Sequence, residues 1–256
     1  MSGPGRRYHG PGPSLEPAVA LGGYALAVAC FFSIGMLIGG GPLPSTIAQV
    51  VALAGVPLLL VRLHGGGRAD LGLVTPPLLP MVGAVLAGAG IWLIALRLAQ
   101  PVVRATDAGP AMRELSRTLL ADDVAIVLLV RALVPAICEE LLHRGLLLSA
   151  LAPRLGRGLA VIVTAALFAL IHLEPARMVS ASLIGLLAGT LAVWSRSVGP
   201  AIALHAVNNA AALLVGMGGW PALNRAIGGR PDLALAVACG LVGAGIGLAW
   251  AGRQRS

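Results

Sequence analysis

The sequence predicts an all-α, polytopic membrane protein, and three observations carry that prediction. Of the 256 residues, 57% are hydrophobic and only 11% are charged, where soluble domains carry about 25%. The mean hydropathy is +0.90, and the 18 basic residues, 10 acids and 5 histidines are too few to clothe a water-exposed surface at this length. The apolar residues are also gathered into runs of about 20, the length that crosses a hydrocarbon core.

About eight segments meet that length: 16–39, 45–62, 77–99, 122–150, 157–173, 178–195, 199–217 and 232–251. They are separated by short stretches holding Gly, Pro or Arg, such as His64–Asp70 and Gly218–Pro231. The first follows Arg6 and Arg7 and runs on past Cys30, too far for a cleaved signal segment, so it is expected to be a retained span. The Gly- and Pro-rich residues 1–14 are expected to form a disordered tail, and 15–256 a single transmembrane domain. Residues 100–121, where Arg113, Glu114 and Arg117 alternate with Met112, Leu115, Leu119 and Leu120, are expected to lie on the surface as a short amphipathic helix.

With eight spans, both termini share one side. Arg6, Arg7, Arg62, Arg68, Arg154, Arg157, Arg196, Arg253 and Arg255 fall there, and this balance favours cytoplasmic termini. Every basic residue is an arginine, and Gly and Pro are plentiful, which is the composition of a GC-rich bacterial genome. The expected location is therefore the bacterial cell (inner) membrane. The formal charge of +8 does not indicate nucleic acid, because the arginines are scattered between apolar runs and only 4% of residues are aromatic. Cys30, Cys138 and Cys239 sit in separate apolar segments without CxxC pairing, so they are expected to be small buried hydrophobes rather than disulfide partners or zinc thiolates.

Chemistry is expected where polar residues interrupt apolar runs, since an ionisable group at membrane depth costs roughly 2.5–3.5 kcal/mol on insertion scales. Three clusters stand out: Cys138-Glu139-Glu140-Leu141-Leu142-His143-Arg144 in the fourth span, Phe168 to His172 closing the fifth, and His205-Ala206-Val207-Asn208-Asn209 in the seventh. Glu140 and Arg144 are four apart on one helical face, so the arginine can neutralise the carboxylate. Glu139 is rotated about 100° from Glu140 and is free to aim elsewhere. Phe168 and His172 share a face, as do His205 and Asn209, which offer two donors to one point. Rise along the helices puts Glu139 about 18 Å deep, His172 about 22 Å, and His205 and Asn209 about 10 to 16 Å. The clusters thus converge on a cavity near mid-membrane.

These residues resemble the CPBP intramembrane proteases, which include CAAX prenyl-protein endopeptidases and bacteriocin-processing and immunity proteins. The family pattern of Glu-Glu-x-x-x-Arg, Phe-x-x-x-His and His-x-x-x-Asn is present in order as Glu139-Glu140 with Arg144, Phe168 with His172, and His205 with Asn209. The resemblance covers about 120–215. His143 departs from it, standing where the family commonly has Phe, and is expected to replace that packing ring.

The resemblance implies an endopeptidase that opens a peptide bond of a membrane-anchored protein or peptide within the bilayer. Glu139 would be the general base, His172 its partner in positioning water, and His205 and Asn209 the oxyanion donors, with Glu140, Arg144 and Phe168 in support. No cofactor is favoured; the alternative is zinc held by Glu139, His172 and His205. Ionisable groups at mid-membrane also suit a transporter, although no inverted repeat is evident, and a non-proteolytic scaffold or immunity protein of the same fold is a third reading. Asn208 is expected to be helix glue, and Trp92, Trp194, Trp220 and Trp250 interfacial anchors or packing.

Overall fold

A computed structural model describes residues 15–39, 42–106, 123–216 and 218–253, which are helical with no strand among them. Helix α1 is Pro17–Leu37. Helix α2 joins Pro42–Ala48, a π-helical stretch Gln49–Ala54 and Gly55–Leu63. Helix α3 is Leu78–Ala105. Helix α4 joins Val124–Leu128, a π stretch Leu129–Leu133, Val134–Glu140, a second π stretch Leu141–Leu148 and Ser149–Leu155. Then follow α5 (Arg157–Leu170), α6 (Pro175–Ser195), α7 (Gly199–Gly216), α8 (Pro221–Gly229) and α9 (Pro231–Ala251).

Among the described residues, six helices are long and apolar enough to cross a membrane: α1, α2, α3, α6, α7 and α9. The other two predicted spans are present in altered form. Helix α4 runs on from 124 to 155 but carries Arg131, Glu139, Glu140 and Arg144, and α5 stops at 14 residues. The protein is thus a multi-pass, all-α membrane protein, with Met36 and Leu37 more than four-fifths exposed on its outside, as lipid-facing side chains should be.

Four expectations need adjusting. His172 lies beyond α5, in a turn where Leu173 takes φ +57° ahead of Pro175. Helix α3 runs through Gln100–Ala105, residues assigned to the surface helix, and 107–121 of that helix lie outside the described residues, as does the 1–14 tail. The stretch 218–231, read as a connection, contains α8. Cys138 is buried, but Cys239 is exposed on α9, because that helix packs along one side only.

Proline accounts for two π stretches. Pro57 and Pro135 lack the N–H that would bond the carbonyl one turn back, and the stretches Gln49–Ala54 and Leu129–Leu133 immediately precede those turns. At the start of α4, Asp123 caps the helix, accepting from Ala125 N at 2.8 Å and Ile126 N at 3.3 Å. An ion pair between Arg154 and Glu16 at 3.3 Å puts the end of α4 on the same side as the start of α1.

Two large packed groups form most of the core. One joins α1, α2 and α4 through Leu53, Leu142, Leu146 and Leu147; the other joins α3, α5, α6, α7 and α9 through Phe168, Ile184, Leu191 and Leu204. Helix α3 is central to the second and packs on α6, α7 and α9. Helices α3 and α9 approach through small residues: a Cβ at Gly245 would meet Ala87 N at 2.8 Å and also press on the Gly83 carbonyl. Gly245→Leu is therefore expected to destabilise the protein by about 1–3 kcal/mol in detergent unfolding. Gly240→Leu, on the same helix but facing open space, should leave the unfolding midpoint unchanged or raised.

Candidate active site

The site forms where the two packed groups meet. Glu139 and Glu140 come at the last α-helical turn of α4 before the π stretch Leu141–Leu148, which carries His143 and Arg144 and is buried along its whole length. Adjacent residues of an α-helix diverge by about 100°, which lets the two glutamates serve different directions, while the π stretch after them shifts the register of His143 and Arg144.

Glu140 turns inward. It is fully buried, and its Oε1 accepts from Arg144 Nη1 at 2.9 Å, the pairing that the four-residue spacing predicts. The same oxygen accepts from His205 Nδ1–H at 3.0 Å, a contact across 65 residues of sequence. Arg144 donates its second nitrogen, Nη2, to the Gly185 carbonyl at 2.7 Å. A Cβ at Gly185 would meet Ala165 at 3.0 Å and Arg144 Nη2 at 3.3 Å, so glycine keeps that approach open.

Glu139 is less enclosed than Glu140. Its side chain is 12% exposed, and Oε2 is buried with no hydrogen-bond partner, 3.9 Å from His205 Nε2. That separation is too long for a direct hydrogen bond.

One ring organises the surroundings. Phe168, 1% exposed, makes edge-on contacts with His143 and His172, each at 5.0 Å between centroids, and with His205 at 5.5 Å. The Arg144 guanidinium lies over its face at 4.9 Å. His172 donates from Nδ1 to the Phe168 carbonyl at 2.9 Å, which leaves Nε2 as a lone-pair acceptor. His143 does the same to the Glu139 carbonyl at 2.8 Å and packs edge-on against Tyr24, filling the place of the packing ring expected there.

On α7, Asn209 follows His205 by one turn. Its Oδ1 accepts from Asn208 Nδ2 at 3.0 Å, so its own Nδ2 hydrogens are the end left to donate. Asn208, expected only to hold helices together, thus orients its neighbour. Glu174 pairs with Arg177 at 2.8 Å just past the His172 turn.

The structure therefore brings Glu139, Glu140, Arg144, Phe168, His172 and His205 into one cluster. Sequence reading missed the Glu140–His205 bond, for which an ionisable pair on two different spans was the only signal. Among the described residues, no group of three or more His, Cys, Asp or Glu side chains is arranged to hold a metal ion.

The family model described as type II CAAX prenyl endopeptidase Rce1-like matches residues 121–211, the segment that holds all three motifs. The match supports membership of the CPBP family. No curated protein and no solved structure matches the chain significantly.

The ion pair at the centre makes a direct test of this geometry. Arg144→Ala leaves Glu140 buried without its cation and should cost about 3–5 kcal/mol in unfolding measurements. The double variant Glu140→Gln/Arg144→Gln, which removes both charges, should recover a large part of that loss.

Proposed function

We propose that this CPBP-family chain is an intramembrane endopeptidase that hydrolyses a peptide bond of a membrane-associated protein, using water activated by Glu139 and His172. The state of Glu139 carries the reading: a buried carboxylate oxygen without a partner, facing a histidine across a gap. Leaving such an oxygen unpaired is expensive in a low-dielectric setting, and a reacting water would satisfy it.

Each step follows from the committed and uncommitted atoms. Glu139 accepts a proton from the water, while His172 Nε2, the acceptor end of a ring held by its backbone bond, orients that water. The resulting hydroxide attacks the carbonyl carbon, and the carbonyl oxygen becomes an oxyanion. Asn209 Nδ2 donates to it. His205, with Nδ1–H engaged by Glu140, donates from Nε2 as an imidazolium whose charge is balanced by the two glutamates. The proton held on Glu139 then passes to the departing amine as the C–N bond breaks. Glu140 is thus a positioning residue for His205, and Arg144 holds Glu140.

The chemistry proposed is glutamic rather than metal-dependent, since Asn209, one turn beyond His205, is a good hydrogen-bond donor and a poor metal ligand. The substrate is a protein anchored by a hydrophobic segment that reaches the site between helices, in a bacterial cell membrane with the termini of the enzyme cytoplasmic.

Proteins that accumulate uncleaved in a strain lacking the gene would supply the assay. With such a substrate, Glu139→Gln should lower turnover about 10²–10⁴-fold in protein that still inserts and folds. His205→Ala and Asn209→Ala should each lower kcat about 10²–10³-fold with little change in KM. Near-normal turnover by Glu139→Gln would reject the assignment of the base. Exhaustive chelation should leave activity intact; loss on chelation with recovery on adding zinc would overturn the glutamic reading in favour of ligation by Glu139, His172 and His205.

A further inference from the structure

Away from the proposed catalytic cluster, α3, α8 and α9 line an open-sided cavity of about 730 Å³. This is the volume range of a pocket built for a ligand. Its wall is apolar, with Trp92 and Leu93 from α3, Ile227 from α8, and Leu233 and Val237 from α9. Arg225 and Arg230 also border it, and both are exposed and without an ion pair among the described residues. Asp232, in the first turn of α9, is the acid closest in sequence and leaves the rim net positive.

Position narrows the chemistry. Helix α8 links the end of α7 to the start of α9, so it lies where two spans emerge, and Trp220 at its N-cap is more than half exposed, as an interfacial anchor would be. The arginines are therefore at headgroup level and the apolar wall extends inward from them. An inorganic anion would use the arginines and leave the apolar volume unfilled. A zwitterionic lipid would fill the volume without balancing the charge.

We propose that this cavity binds an anionic phospholipid, with an acyl chain against Trp92 and Val237 and the headgroup phosphate between Arg225 and Arg230. The ligand matches the cavity at both ends.

Full-length protein in detergent, titrated with phosphatidylglycerol and phosphatidylcholine and read by native mass spectrometry, tests this. Phosphatidylglycerol should be retained preferentially, and Arg225→Gln/Arg230→Gln should weaken its retention about 30-fold while phosphatidylcholine is unaffected. Both arginines are exposed, so the double variant should unfold at the parental temperature. Ala234→Trp, which fills the cavity, should remove retention of the lipid with both arginines in place. Equal retention of the two lipids, unchanged phosphatidylglycerol binding in the arginine variant, or displacement of the lipid by millimolar inorganic phosphate would each overturn the proposal.

Discussion

The buried bond between Glu140 and Arg144 is the constraint on which the arrangement of helices depends. Lipid is as apolar as leucine, so helices in a membrane gain little from burying apolar faces against one another, and polar ties set their register. Here the carboxylate and guanidinium can exist at depth only together. Because Arg144 also holds the Gly185 carbonyl and Glu140 also holds His205, the pair fixes α4, α6 and α7 at one point. Gly185 is small because anything larger would separate that point from α5.

Around this anchor, Phe168 does for orientation what the ion pair does for position. Its faces and edges meet Arg144 and three imidazoles. All three histidines commit the same atom, Nδ1: His143 and His172 to the carbonyl four residues before them, and His205 to a carboxylate. Each is thereby held in one tautomeric sense with Nε2 uncommitted to a protein hydrogen bond. The partners differ, since the carbonyls belong to the histidine's own segment of chain whereas the Glu140 carboxylate belongs to another helix. In the reaction proposed above, His172 and His205 take opposite tasks, accepting a hydrogen bond from the water in one case and donating one in the other.

Within single helices the site was legible from spacing. Glu140 with Arg144 and Phe168 with His172 meet because four residues make about one turn. What spacing could not supply was the meeting of separate helices, and the bond from Glu140 to His205 belongs there. Asn208 was misjudged for a related reason, since its partner is its immediate neighbour and adjacent residues ordinarily diverge around a helix. The spans were legible as apolar runs, but the end of α5 was not: Leu170, Ile171 and Leu173 continue the apolar pattern, while Pro175 and the left-handed Leu173 stop the helix. Helix α8 was hidden by glycines and prolines at its ends, which read equally well as a linker.

The early stop of α5 changes how a second reactant reaches the site. Fourteen helical residues rise about 21 Å, against a hydrocarbon thickness of about 30 Å. A helix too short by about 9 Å leaves the bilayer pinched or indented where it ends, and His172 stands at that end. Hydrolysis consumes one solvent molecule per bond cut, and hydrocarbon is the poorest place to find one. On the hydrolytic reading proposed above, the truncated helix would bring the aqueous phase toward the imidazole, and the same sequence break that ends α5 would also hydrate the reaction.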